Sequence, residues 1–157
     1  MSSATRQLID RFAAESSGSG ISIGAEDNRE RLPALEANLP KRLPQTFAAL
    51  LAAYSFPSFN LGGIAFFGWD PDSQDFSAVG PPVKGSLSEL LLPAGHVQIG
   101  PDTGSFDAVC FKTTAKQDRE YPIVVADHEE ILCNFRVRIR EQLCPSFRRL
   151  VESALSS

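Results

Sequence analysis

The chain has 157 residues, of which 43% are hydrophobic and 22% are charged, and its formal net charge at pH 7 is −4. This length fits one domain with a continuous core, and the composition is that of a globular protein, which excludes a fibre or a wholly disordered chain. Because binding to phosphates needs clustered Lys and Arg, the negative charge also disfavours a nucleic-acid partner.

The first third of the sequence is typical of helices. Residues 3–15 have an amphipathic helical pattern that ends at a Ser/Gly-rich linker. We therefore expect a helix and linker over residues 1–20, ahead of a main domain over residues 21–157. A short helix that stops at Pro40 follows, because the residue before a proline disfavours the helical conformation. The clearest helix starts at Pro44, a residue that suits the first turn, and continues through apolar residues at helical spacing.

From Phe59 onward the sequence favours strands. A run around a glycine pair is rich in strand formers. Residues 96–100 and 106–112 alternate on either side of a Pro-Asp-Thr-Gly-Ser stretch, which predicts a strand, a turn and a strand. Residues 121–127 predict a further, β-branched strand.

Two later segments are ambiguous. Residues 86–93 fit either one helical turn or a strand, and residues 131–142 alternate like a half-exposed strand although part of their pattern fits a helix. For the second segment we expect a strand that turns helical later. A helix capped by Ser146 closes the chain. The whole order predicts an α+β fold, a single domain with one twisted, mainly antiparallel sheet flanked by helices.

The cysteines and the apolar runs bear on location and chemistry. Cys110, Cys133 and Cys144 are an odd number without C-x-x-C spacing, each among apolar neighbours, so we expect buried free thiols in a reducing compartment. The apolar runs are shorter than the roughly 18 residues of a membrane span, and no secretory signal is visible. We therefore expect a cytoplasmic protein that does not bind membranes. Without a G-x-S-x-G elbow, a Walker loop or an activated thiol, we predict no catalytic residue and no cofactor.

Metal binding has little support in the spacing of its usual ligands. His96 and His128 are the only histidines, and they stand at no zinc-site spacing from the cysteines. Asp127, His128 and Glu129 form the sharper alternative, because adjacent carboxylates and an imidazole supply an acid and a base for a metal-dependent hydrolase. Asp at such a position more commonly caps the next turn. We therefore predict no metal ligand.

An acidic surface is the feature that points to a function. Residues 55–110 carry six acids and one lysine, and Trp69 lies beside several of these acids. An aromatic anchor amid acids is typical of an interface that attracts a basic partner, and the alternative is a ring packed in the core. Asp102 also suits a turn, in which Gly104 would supply the left-handed position. The predicted partner-binding residues are Trp69, Asp70, Asp72, Asp75, Asp102 and Asp107.

Four motifs stand in order between about residues 21 and 155. They are LPALEANLPKRLPQTFAALLAAY, IGPDTGSFDAVCF, PIVVADHEE and PSFRRLVESAL. Together they resemble the SUKH superfamily. In the first two motifs the matching residues are Leu35, Glu36, Leu43, Pro44, Phe47, Leu50, Leu51, Ile99, Gly100, Asp102, Gly104 and Asp107.

This resemblance implies an α+β fold without catalysis. Bacterial members of the superfamily are largely immunity proteins that bind and neutralise toxins, often nucleases, and the fungal relatives are cell-wall regulators that act as interaction hubs. An acidic binder suits a basic nuclease electrostatically. We expect an immunity protein whose partner is a toxin domain, with an intracellular scaffold or regulator as the first alternative and a metal-dependent hydrolase as the second. The partner's identity and the oligomeric state stay open.

Overall fold

The described chain contains helices and antiparallel strands, mixed along its length. The structure is a computed structural model that describes residues 3–70, 78–80, 86–115 and 119–156. In chain order its elements are α1 (Ser3–Gly18), β1 (Gly24–Ala25), α2 (Leu32–Glu36), α3 (Gln45–Ala53), β2 (Tyr54–Ser55), β3 (Phe59–Leu61), β4 (Ile64–Phe66), α4 (Ser88–Leu91), β5 (His96–Pro101), β6 (Ala108–Lys112), β7 (Ile123–Ala126), α5 (His128–Asn134), β8 (Ile139–Cys144) and α6 (Phe147–Ser156). This arrangement confirms the predicted α+β class.

The main sheet has four antiparallel strands in the order β5-β6-β7-β8, so strands that follow one another in the chain are also neighbours in the sheet. Ala108 at the start of β6 lies opposite Ala126 at the end of β7, which lies opposite Ile139 at the start of β8. The turn over residues 102–107, helix α5 and the start of β8 therefore meet at one end of the sheet. We call residues 102–107 and 127–141, which include the cap residues of α5 and the connection from α5 to β8, the α5 end.

Two small two-stranded sheets accompany the main sheet: β1-β2, whose strands are separated in the chain by α2 and α3, and the hairpin β3-β4. Gly62 and Gly63 join β3 to β4 with φ angles of 60° and 80°, a left-handed conformation that glycine adopts without steric cost. These are the two glycines in the run for which the sequence predicts strands. A bridge between Ile64 and Asp102 joins this hairpin to the turn at the α5 end.

The two faces of the main sheet contact separate hydrophobic cores. On one face the large core contains α1, α3 and α6, and Phe47 lies near its centre, with its ring centroid 5.1 Å from that of Phe111 and 5.0 Å from that of Phe147. Both ring pairs have the edge-to-face geometry that aromatic quadrupoles favour. On the other face α4 and α5 cover a smaller core. Its buried members are Leu91, Ala108, Cys110, Val124, Ala126 and Ile131.

Helix α1 belongs to the large core. Ile9 and Phe12 are fully buried in it, and the Tyr54 hydroxyl donates to Asp10 Oδ1 over 2.7 Å. The helix continues to Gly18, so the first residues of the predicted Ser/Gly linker are helical. The core-facing residues at helical spacing therefore anchor α1 directly on α3 and α6.

The prediction for residues 131–142 is wrong in its order. The segment begins in α5 and ends in β8, so the helix comes before the strand. Asp127 explains the reversal, because its carboxylate accepts hydrogen bonds from the next backbone N–H groups and starts a helix where the alternation of apolar residues suggests a strand. For residues 86–93, the structure settles the ambiguity with the short helix α4.

The cysteines differ in burial, which corrects the expectation of three buried thiols. Cys110 is buried, Cys144 is half-buried and Cys133, on α5, is exposed. Burial raises the pKa of Cys110 and of Cys144, as expected for thiols in a core. None of the helices in the described ranges has the length and apolar character needed to cross a membrane.

Candidate functional site

Trp69 is a core residue. Its side chain is only 4% exposed, its indole Nε1–H donates to the Leu51 carbonyl over 2.8 Å, and its backbone pairs with Phe56. The prediction of an exposed aromatic anchor at Trp69 is therefore corrected. A buried indole needs a partner for its N–H, and the Leu51 carbonyl near the end of α3, which also accepts from Asn28 Nδ2, is that partner.

Of the predicted acids that follow Trp69, the structure describes Asp70. Asp70 is half-buried and lines a shallow cleft together with Glu26 and Ser55. Asp72 and Asp75 lie outside the described residues. The contribution of this acidic segment to binding therefore stays a prediction.

Asp102 organises the turn between β5 and β6. Its Oδ2 accepts hydrogen bonds from the backbone of Gly104 over 3.1 Å and of Ser105 over 2.8 Å, and from the Ser105 hydroxyl over 3.0 Å. The Ser105 bonds lower the pKa of Asp102. The predicted turn role of Asp102 is confirmed, but the left-handed residue of this turn is Phe106, with a φ of 64°, and not Gly104.

Asp107, predicted as a partner-binding residue, is buried instead and connects three segments of the α5 end. Its carboxylate is 2% exposed; Oδ1 accepts from the His128 backbone N–H over 3.0 Å and lies 2.6 Å from His128 Nδ1, while Oδ2 pairs with Arg140. Burial alone would raise the pKa of Asp107, but the bonds from His128 and Arg140 outweigh it and hold the pKa at about 2. The carboxylate is therefore charged, and His128 carries its proton on Nδ1.

Asp127 caps helix α5, which confirms the more common of its two predicted roles. Its Oδ1 accepts from the backbone N–H groups of Glu129 over 2.9 Å and of Glu130 over 3.3 Å. Its own backbone N–H donates to the Arg138 carbonyl, which brings the start of β8 beside the start of α5. Asp127 thus satisfies two of the N–H groups that a helix leaves unpaired at its first turn.

The α5 end also contains a group of metal-ligand side chains. Ligand atoms of Asp107, Asp127 and His128 lie within 4.8 Å of one another, and this is the sole such group in the described ranges. Glu129, the third member of the trio considered from the sequence, is exposed and outside it. A cation here would compete with Arg140 for Asp107 and with the backbone of α5 for Asp127. The residues therefore fit hydrogen bonding within the chain better than they fit a metal.

The large exposed apolar side chains are concentrated at the α5 end. Within the described part of the chain they are Phe106, Leu132, Phe135 and Ile139. Phe106 and Phe135 are 69% and 78% exposed, and both have left-handed backbones, with φ angles of 64° and 51°. Sequence reasoning missed this cluster because it treats phenylalanine as a core residue, and nothing in the residue order marks these rings as exposed.

The chain matches no protein-family model and no curated protein sequence. The resemblance to the SUKH superfamily therefore stays a prediction that rests on the four motifs. Several matching residues have roles in this fold: Phe47 and Leu51 are buried in the large core, and Glu36 accepts a hydrogen bond from the Leu43 backbone N–H over 2.9 Å. The last contact ties α2 to the start of α3.

Proposed function

We propose that this protein is a non-catalytic protein-binding module, and specifically an immunity protein that acts in the cytoplasm by covering or distorting the active surface of a toxin domain. One observation carries the proposal: the strongly exposed large apolar side chains of the described chain all belong to the α5 end. Single exposed apolar residues are ordinary, but a concentration of them marks a surface that binds another macromolecule.

The polar residues of the α5 end support a role without catalysis. Asp102 holds a turn, Asp127 caps a helix, and Asp107 is charged and bonded to His128 and Arg140. Most of these groups form hydrogen bonds within the chain and fix the backbone that presents the exposed rings. Nε2 of His128 is the exception, because a proton on Nδ1 leaves it the free lone pair that a general base needs, and the metal-dependent hydrolase considered below would use it.

A toxin as partner is supported by the motif order and by charge. The motifs resemble those of immunity proteins, and the net charge of −4 favours a basic partner such as a nuclease. The first alternative, an intracellular scaffold or regulator, uses the same kind of surface for several partners. A toxin gene directly upstream favours immunity, and a solitary gene favours regulation.

We expect a toxin gene directly upstream of the gene for this chain, and the test is co-expression of the full chain with that toxin domain in a sensitive bacterium. We expect growth to recover, and the two purified proteins to form a stable complex in size-exclusion chromatography. An unrelated acidic protein of similar size serves as the control for non-specific charge effects. Continued growth arrest, together with separate elution of the two proteins, would overturn the proposal.

The grouping of Asp107, Asp127 and His128 keeps the metal-dependent hydrolase as a second candidate. Elemental analysis of protein purified without chelators tests it, since a resident metal must be present in stoichiometric amount. Stoichiometric zinc or manganese that disappears in Asp107→Asn would favour the hydrolase. We expect no stoichiometric metal, and the same melting temperature with and without added cation.

A further inference from the structure

We infer that the α5 end is the docking surface of this protein, and that the partner surface it fits has apolar side chains surrounded by Lys and Arg. This inference rests on the proposed protein-binding function, which it deepens by naming the surface and the chemistry of the partner. Its first support is the concentration of exposed apolar groups on the turn, on α5 and at the start of β8.

The backbone at the two exposed phenylalanines is the second support. A left-handed φ is unfavourable for a residue with a large side chain, whereas glycine and asparagine tolerate it. Phe106 and Phe135 also gain little from burial, because most of each ring faces solvent. Stability of the monomer therefore does not account for phenylalanine at these positions, and contact with another molecule does.

The hydrogen bonds beneath the rings hold the surface in a fixed arrangement. Asp107 follows Phe106 directly and joins the turn to α5 through His128 and to β8 through Arg140. Arg136 pairs with Glu130 over 2.8 Å, so the connection after α5 is tied back to the helix. A surface that is already ordered loses less conformational entropy on binding than a flexible one.

The charge of the α5 end indicates the chemistry of its partner. Residues 102–107 and 127–141 contain six carboxylates and three arginines. Of these arginines, Arg136 and Arg140 are already paired with carboxylates of the same surface. The exposed rings therefore lie in a surface with excess negative charge, which attracts a basic partner and repels an acidic one.

A second copy of this chain fits the surface less well. Residues 139–142 of the edge strand β8 are exposed and are a potential site for strand pairing. However, the β7-β8 ladder contains two register shifts, and the exposed edge carries Arg140 and Glu141. Bulges and charges at an edge disfavour pairing with another strand, and two copies would bring like net charges together.

The experiment measures binding of the same toxin domain to surface variants by surface plasmon resonance. The main variant is Phe106→Asn with Phe135→Asn, because asparagine removes the rings and suits the left-handed backbone. We expect this variant to lose at least about tenfold in affinity, as residues at the centre of an interface do, with no loss of melting temperature. Its control is the wild-type chain.

A pair of charge reversals tests the electrostatic part. Glu141→Lys changes the sign of an exposed carboxylate at the α5 end, and Glu30→Lys does the same at an exposed position outside it. We expect the first to slow association by about threefold or more, an effect that added salt weakens, and the second to have little effect. Equal association rates for both would overturn the basic character of the partner surface.

The outcomes separate the inference from the proposed function. No complex with the wild-type chain overturns the proposed function and this inference with it. A double phenylalanine variant that binds like the wild type overturns only the docking surface. Binding lost on charge reversal of Asp70, Asp72 and Asp75 but kept in the double variant assigns docking to the acidic segment after Trp69. A dimer of the free chain in sedimentation, abolished by the double variant, assigns the surface to self-association.

Discussion

Phe135 and Phe106 combine an unfavourable backbone conformation with a side chain that the fold leaves in solvent. Phe135 is the residue that ends α5, and a left-handed residue after a helix is usually glycine or asparagine. Each substitution to asparagine relieves a steric penalty and loses little buried area. We therefore expect the phenylalanine side chains at these two positions either to leave the free energy of unfolding of the monomer unchanged or to lower it.

We expect Phe135→Asn to raise the free energy of unfolding by about 0.5 kcal/mol, within the range for relieving a left-handed non-glycine residue. Urea unfolding monitored by circular dichroism measures this change. Phe135→Leu is the matched control, because it keeps an apolar side chain and the unfavourable backbone. A loss of more than about 1 kcal/mol in the asparagine variant would mean that the ring packs on the protein.

Asp107 makes stability depend on pH in the acid range. Its pKa falls from 3.8 in the unfolded reference to about 2 in the folded chain, so the folded state holds the proton less tightly. The resulting stabilisation is complete above the unfolded pKa and is lost as pH falls through the folded pKa. The difference corresponds to about 2 kcal/mol.

We expect the wild type to lose this stability between about pH 4 and pH 2, and Asp107→Asn to show a flatter dependence there. Asp27→Asn is the comparison, because Arg29 also lowers the pKa of Asp27 to about 2. That pair is exposed and two residues apart, so it persists in the unfolded chain and is screened by solvent. If both variants changed the loss of unfolding free energy between about pH 4 and pH 2 equally, this result would contradict the structural role of Asp107.

Among the elements, α5 is the one whose start depends most on a single side chain. The helix has seven residues, too few to be stable by itself, and its first N–H groups are bonded to Asp127. Ile131 is its buried residue in the smaller core. Loss of the cap should therefore loosen the helix and displace Leu132 and Phe135.

We expect Asp127→Ala to cost about 1 kcal/mol and to speed amide exchange in α5. Ser146→Ala is the matched control, since Ser146 Oγ accepts from the Arg149 N–H over 3.1 Å and caps α6 on the opposite core. Both variants should lose similar stability, whereas only Asp127→Ala should weaken binding to the toxin domain. Unchanged exchange in α5 would show that the helix does not need its cap.

The sequence predicted the elements in which the spacing of apolar residues fits either a strand or a helix, but not both. The prediction was wrong where the strand period and the helix period fit the same residues. Strand 96–100, the strand predicted over 106–112 and the closing helix were predictable because alternation or helical spacing agreed with the turn and cap residues around them. The second strand starts only at Ala108, so Phe106 and Asp107 belong to the turn and not to the predicted strand. In residues 131–142 the alternation of apolar side chains agrees with a strand. The cap at Asp127 favours a helix there, but the alternation of apolar residues gives no sign of that cap.

At the scale of the whole molecule, the site depends on contacts between distant parts of the chain. Asp107 and His128 are 21 residues apart, and they meet because Ala108 and Ala126 are paired across β6 and β7. Neither residue type predicts that pairing. The same limit applies to Trp69, which packs in the large core with its indole N–H bonded to the Leu51 carbonyl, 18 residues earlier in the chain. Composition predicted an acidic binding protein, but only the register shows which acids are used internally.

The packing of α1 determines whether the main domain is independent of the first 20 residues. Ile9 and Phe12 are fully buried in the large core, and Arg148 Nη1 on α6 donates to Thr5 over 3.3 Å. Each such apolar side chain contributes about 1.5–3 kcal/mol by burial. Their joint loss of about 3–6 kcal/mol reaches the lower end of the stability of a domain, which is about 5–15 kcal/mol.

We therefore expect a chain that starts at residue 21 to be strongly destabilised, with loss of near-ultraviolet circular dichroism and rapid proteolysis. Phe12→Ala in the full chain should lower the free energy of unfolding by about 3–5 kcal/mol, whereas Gln7→Ala, on the exposed face of α1, should change it little. Phe12→Ala leaves the exposed rings of the α5 end in place, because α1 packs on the opposite face of the sheet. A folded Phe12→Ala chain should therefore bind the toxin domain with wild-type affinity. If the chain from residue 21 melts at the wild-type temperature, α1 packs on the core without contributing to its stability.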